Sequence, residues 1–186
     1  MSSLTIYSNS DPDTVLEHTQ QAEKIAEELR KIGVSFERWQ PTVSLSRTAD
    51  DQAVLSAYAD DIERVSKAEG YTSVDVIRVF PDNPKCEELR AKFLAEHTHA
   101  DDEARFFVEG AGMFYVHADE KIFMILCEAG DFIRVPQNAT HWFDMGAVPH
   151  ITAIRWFTRP DGWVAQFTGS DLSMRFPKYV PAQKVA

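Results

Sequence analysis

At 186 residues, with 29 acidic against 19 basic side chains and a formal charge of -10, the chain suits one domain with a sizeable core. That charge repels a phosphate backbone or an anionic membrane surface, and no Lys/Arg cluster offsets it, which argues against nucleic acid and membrane as partners. Two cysteines are too few for a disulfide framework, and the longest near-continuous apolar run, residues 122–127, is far short of a membrane span.

In chain order, residues 4–7 read as a short strand. Residues from about 19 to 32 read as a helix, with Ala22, Ile25, Ala26, Leu29 and Ile32 on one face and Gly33 as its stop. Residues 34–39 alternate as a strand, and 40–51 form a polar loop. A second helix starts near 48–51 and carries Val54, Leu55, Tyr58, Ile62 and Val65 to a stop at Gly70. A strand over 74–80 ends at Pro81, and Asn83-Pro84 marks a helix start, a capping residue before proline. That helix turns Leu89 and Phe93 inward and delivers the chain to Glu96 and His97.

From there the pattern changes. Short strands are expected at 105–109, 113–117, 122–128, 132–135 and 151–157, with turns at Gly110-Ala111-Gly112, residues 119–121, Gly130-Asp131 and Gly162. Such spacing suggests an antiparallel barrel or sandwich. The fold class is therefore mainly β, α+β in kind. It forms a single domain of 1–186, with a helix-and-strand part over about 1–95 and a barrel core over about 96–170. The tail after Phe176, with Pro177 and Pro181, reads as loosely ordered. Cys127 sits in a run that looks buried, with a redox pairing to Cys86 as the alternative. The N-terminal residues have neither the basic nor the apolar region of a leader, which makes the expected location cytoplasmic.

His97 and His99 are two apart, so on an extended strand both imidazoles point to one face. Glu103 and Arg105 share that parity if the chain stays extended, or if a loop at residues 100–102 restores it. Two imidazoles and a carboxylate converging from one face suit a divalent transition metal. A fourth ligand must come from elsewhere, and His141 is the candidate. His18, His117 and His150 have no partner at ligand spacing: the first sits in a polar stretch, the second reads as a surface residue, the third as a loop residue.

The full spacing carries more. His97-x-His99, three residues, Glu103, six residues and Gly110 match the first metal motif of the cupin family, and Gly130, Pro136 and His141 match the second. Asn138 stands where cupins usually place glycine, a mild departure because asparagine tolerates the left-handed conformation. Glu96-His97-Thr98-His99, residues 102–112 and residues 141–146 resemble the acireductone dioxygenases. So do Phe36-Glu37-Arg38-Trp39 and residues 162–169, which extends the resemblance over nearly the whole chain.

The resemblance implies a monomeric cupin double-stranded β-helix, a jelly-roll-like barrel, with one Fe(II) or Ni(II). Its ligands would be His97, His99, Glu103 and His141, with two octahedral positions left over. It implies a methylthio-bearing enediol of methionine salvage and O₂ as substrates. The Fe form would give 2-oxo-4-methylthiobutanoate and formate, and the Ni form 3-methylthiopropanoate, formate and carbon monoxide.

Around that centre, Arg105 is expected to bind an anionic substrate oxygen, the alternative being a barrel-core arginine paired with glutamate. Glu96 either accepts a proton or orients a ligand imidazole, or else faces solvent, and Asp102 is a weaker candidate of the same kind. Arg155 is a candidate second cation. Phe93, Phe143 and Trp163 match aromatic residues lining the family's site, though each could serve as ordinary core. Two rival functions remain: another cupin oxygenase or isomerase, which calls for polar residues in place of Phe106, Phe107, Phe143 and Trp163, and a non-enzymatic metal-binding cupin.

Overall fold

A computed structural model describes residues 1–39, 49–159 and 164–181. The elements run β1 (Ser3–Ser8), β2 (Asp11–Thr19), α1 (Ala22–Arg30), β3 (Ser35–Arg38), α2 (Asp51–Ala57), α3 (Ala59–Glu69), β4 (Ser73–Val79) and α4 (Cys86–Leu94). They continue with β5 (His97–Thr98), β6 (Glu103–Ala118), β7 (Lys121–Glu128), β8 (Asp131–Val135), β9 (Thr140–Asp144), β10 (Ile151–Phe157), β11 (Gln166–Phe167) and α5 (Leu172–Arg175). The fold is mainly β with helices concentrated before the barrel, as the sequence suggests. No helix among the described residues is long and apolar enough to cross a membrane.

Strand β6 is the spine. Its first half pairs with β8 and β10, which extend to β3 and β4. Its second half pairs with β7 and β9, and that sheet runs β11-β5-β9-β6-β7-β1-β2. The expected break at residues 110–112 is therefore a corner inside one sixteen-residue strand and not a turn between two. Gly110 makes the corner with φ of +79°, and a Cβ there would come within 1.5 Å of the His150 carbonyl oxygen.

Alternation along β6 sorts the side chains into layers. Phe107, Phe114 and Val116 join Phe143, Ile125 and Ile133 inside the barrel, closed at one side by Ile25 and Leu29 of α1. Ala104 and Phe106 face the other way and meet Trp39, Val54, Tyr58, Val65 and Trp156. Phe106 is thus packed under Trp39 and Tyr58 and does not join the cluster inside the barrel. Met113 and Tyr115 pack on Trp142, Leu172 and Phe176.

Several boundaries differ from expectation, each for a local reason. The helix expected over 48–70 divides at Tyr58 (φ -117°, ψ 23°), whose ring turns in against Phe106 at 4.9 Å. The start of α4 is delayed to Cys86 because Asn83 accepts from the Lys85 amide at 2.9 Å, closing a side-chain turn first. Strands β2 and β9 were not expected: β2 lies at the sheet edge with Val15 and Leu16 half exposed, so it lacks clear alternation. Residues 177–181 are tied down, not loose, through Tyr115 Oη to the Pro177 carbonyl at 2.6 Å and the Tyr179 amide to Asp144 at 2.9 Å. The polar loop at 40–48 and the turn at Gly162 lie outside the described residues.

Candidate metal centre

Three of the four expected ligands lie on strands, His97 on β5, Glu103 on β6 and His141 on β9, and His99 directly follows β5. His97 on β5 is registered opposite His141 on β9, and His141 lies opposite Val116 on β6. Residues 100–102 leave the sheet between His99 and Glu103, and Glu103 then opens β6, so a loop restores the shared face. The loops carrying the two motifs are joined: the Asn138 amide donates to the His99 carbonyl at 2.9 Å, with Asn138 in the left-handed region at φ 62°.

Backbone carbonyls fix the ring tautomers. Nδ1 of His97 bonds to the Ala95 oxygen at 2.7 Å, that of His99 to the Asp101 oxygen at 2.7 Å, and that of His141 to the Ala139 oxygen at 2.9 Å. A carbonyl only accepts, so each Nδ1 carries its proton and each neutral ring keeps a lone pair on Nε2. Nε2 of His99 and of His141 lie 2.7 and 3.2 Å from the same Glu103 oxygen, Oε2. One donor atom from each of the four residues falls within 4.8 Å of the others, so the four side chains converge on one place. The donor set, three imidazole nitrogens and a carboxylate oxygen, fits a borderline divalent transition metal.

Charge is arranged around this cluster. Arg105 Nη2 lies 2.5 Å from the other Glu103 oxygen, Oε1, and both side chains are about nine-tenths buried. Burial pushes the Glu103 carboxyl up, but the Arg105 guanidinium, with His141 and His99 close by, outweighs it and holds it well below its ordinary value. Burial, reinforced by His141, pushes His97 down. For His99 burial acts downward too, yet the Glu103 contact wins and raises it. The Arg105 guanidinium carbon sits 5.0 Å from the Phe143 ring centroid, 5.4 Å from Phe114 and 5.9 Å from Phe93.

A cavity of about 320 Å³ opens beside the cluster, lined by His97, His99, Glu103 and Arg105 at its inner end and by Ile77, Leu89, Phe93, Phe143 and Phe157 along its walls. Helix α4 is held over it by Arg90, which donates to the buried Asp144 on β9 at 2.8 and 3.0 Å. That ion pair fixes Phe93 and β9 together.

Other candidates fall in different places. Arg155 lines the cavity, but its Nε and Nη2 are taken by Asp75 at 2.8 and 2.7 Å. Glu96 is buried, so it does not face solvent; its Oε1 accepts from Thr168 Oγ1 at 2.7 Å and its Oε2 lies 3.4 Å from His117 Nδ1. No ligand ring hydrogen-bonds to it. His117, read as a surface residue, is half-buried and faces that carboxylate. Asp102 lines the cavity while accepting from Arg134, the Gln137 amide and Tyr71. His150 pairs with Glu109 at 2.7 Å, and His18 with Thr5 at 2.9 Å. Trp163 lies outside the described residues.

Sequence reasoning missed Asp75 and Asp101. Buried Asp101 accepts from Thr158 Oγ1 and from the amides of Thr158 and Arg159, anchoring the loop that also carries the His99 bond. Its position between two ligands was the available signal. Asp75 offered none, because its partner is eighty residues away.

Comparison with known proteins agrees with this geometry. The model of the ARD/ARD' family matches residues 3–165. The acireductone dioxygenase of Parvibaculum lavamentivorans is 55% identical over 179 residues, covering 96% of this chain and 97% of that protein. That of Stenotrophomonas maltophilia is 51% identical over 183 residues, covering 98% and 99%. The structure of acireductone dioxygenase from Bacillus anthracis with a cadmium ion in its active centre superposes with a TM-score of 0.78 at 30% identity, over 90% of this chain and 98% of that one. With its ligand motifs, its barrel and its full-length likeness in accord, this chain belongs to the acireductone dioxygenase (ARD/ARD') family.

Proposed function

We propose that the protein is a metal-dependent dioxygenase that cleaves a methylthio-bearing acireductone with O₂, using one Fe(II) or Ni(II) held by His97, His99, Glu103 and His141. The observation that most supports this is the set of three imidazoles whose Nε2 atoms are all left as acceptors by backbone carbonyls, beside one buried carboxylate. When bound, the divalent cation supplies the positive charge on which both oxygens of a deprotonated enediol can be held for reaction with O₂.

The chain's own residues do the rest. Arg105 is the catalytic residue that donates to an anionic enediol oxygen, its guanidinium fixed by Glu103 and by aromatic faces on three sides. The Glu103–Arg105 pair is neutral as a unit, so it adds no net charge against the substrate. Ile77, Leu89, Phe93 and Phe143 offer the apolar wall a thioether tail needs, and they exclude water from the reacting oxygens. Glu96 acts as a positioning residue: it pins Thr168 and so holds β11 beside β5, where Phe167 meets the His97 ring at 6.0 Å.

The experiment is to load the purified protein with Fe(II) or with Ni(II), supply the enediol and O₂, and identify products by NMR. The Fe form is expected to give 2-oxo-4-methylthiobutanoate and formate, and the Ni form 3-methylthiopropanoate, formate and carbon monoxide. Identical mixtures from the two would overturn the metal-dependent outcome, and no consumption of enediol would overturn the function.

A further inference from the structure

Arg155 on β10 stands directly opposite Arg105 on β6, and Asp75 on β4 stands directly opposite Arg155. Directly opposed side chains on one face of a sheet are about 5 Å apart. Carboxylate, guanidinium and guanidinium therefore form one row across three strands, continued along β6 by Glu103. At the outer end Arg155 grips Asp75 in a two-pronged fork, Nε to Oδ1 at 2.8 Å and Nη2 to Oδ2 at 2.7 Å. Its guanidinium carbon also rests 5.2 Å from the Phe157 ring centroid. Arg155 lines the cavity, whereas Asp75 is not among the lining residues.

We propose that Asp75 determines tail specificity as a positioning residue: by engaging Arg155 it withholds a cation from the outer cavity, so that an enediol with an uncharged tail is favoured over one ending in a carboxylate. The inference rests on the enediol reading of the site. A carboxylate tail reaching Arg155 must first break the fork, exchanging one ion pair for another with little gain. With no carboxylate at position 75, the guanidinium donors would turn to whatever anion the cavity holds, and the repulsion between Arg155 and Arg105 would add to that attraction. Lys92 also lines the cavity, and it forms a constant background when variants at position 75 are compared.

The test uses the metal-loaded protein and two synthetic enediols that share the reacting head, one with a methylthio tail and one with a carboxylate tail of equal length. Dissociation constants are measured under argon by calorimetry, and kcat/KM with O₂ admitted. In Asp75→Asn the ratio of the two dissociation constants is expected to move about fivefold toward the carboxylate tail, the scale of a partly exposed ion pair. Asp75→Ser should move it the same way, and Asp75→Glu should restore the wild-type ratio. In Asp75→Asn/Arg155→Met the gain should vanish. A ratio unmoved in both neutral variants, or a gain that survives loss of Arg155, overturns the inference alone. Wild-type protein that neither binds nor turns over either enediol overturns the proposed function and this inference with it.

Discussion

Arg105 and Arg155 face each other from neighbouring strands, and each is paired with a carboxylate, yet the surroundings of the two pairs differ sharply. The Glu103–Arg105 pair has side chains 12% and 10% exposed, while Asp75 and Arg155 are 50% and 24% exposed. At the outer end water screens both charges, and such a pair contributes about 1 kcal/mol or less. At the inner end both side chains are about nine-tenths buried, so removing one partner costs about 3–5 kcal/mol. Burial pushes the Arg105 guanidinium down and Glu103 pulls it back, with Arg155 and Asp75 adding opposed smaller effects. The comparison shows one cavity with a rigid, charged inner end and a softer rim, which is the division a chelated head and a variable tail require.

The largest effects should come from dismantling the inner end. His97→Ala and His141→Ala are each expected to lose most bound metal, because three remaining donors hold an ion far less tightly than four. Metal analysis after gel filtration checks this, and full occupancy in either variant would remove that residue from the ligand set. Arg105→Ala should keep its metal but lose about a hundredfold or more in kcat, the scale of one fixed donor to a developing anion. It should also unfold more readily, and more so after chelation, when Glu103 has neither arginine nor cation. Arg155→Ala, in contrast, should change stability little. Equal losses for the two arginine variants would break the distinction between inner and outer ends.

How much of this was legible beforehand depended on how local each signal was. The ligand set could be read because His97, His99 and Glu103 are close in sequence, and Asn138 could be read as a left-handed position because cupins usually place glycine there and asparagine tolerates that conformation; its φ is 62°. The helices α1 and α3 announced themselves by apolar spacing; Gly70 caps α3 with φ of +76° as expected, whereas α1 already ends at Arg30, three residues before the expected stop at Gly33. What failed was non-local. Gly110 looked like a turn because sequence does not reveal that the His150 carbonyl presses on it and the strand continues past the corner. Glu96 sits next to a ligand, but its carboxylate meets Thr168 and His117, which only the sheet register brings close. The fork between Asp75 and Arg155 depends on β4 pairing with β10, a choice no short window specifies.

Asp101 separates burial from pairing. It is 3% exposed like the inner pair, yet its listeners are neutral: Thr158 Oγ1 at 2.6 Å and the amides of Thr158 and Arg159 at 2.7 and 3.1 Å. Burial pushes its carboxyl up, but the Thr158 and Arg159 donors outweigh that and hold it below the usual carboxylate value. A folded-state value below the unfolded one stabilises the protein at every pH above the unfolded value, about 3.9, and the contribution is lost as pH falls through the folded value. Asp101→Asn keeps the shape, removes the charge and turns one acceptor into a donor. At neutral pH it should melt roughly 3–6 °C below the parent, the scale of one or two weakened hydrogen bonds in a chain this long. Below about pH 4 the gap should narrow, since the unfolded parent then gains a proton that the folded carboxylate still refuses, and the contribution is gone once the folded carboxyl is protonated too. Melting curves taken across that range on chelated protein, where metal release cannot intrude, give the answer. A gap that stays constant down to pH 3 would mean that shape, and not the ionised carboxylate, holds the loop between the ligands.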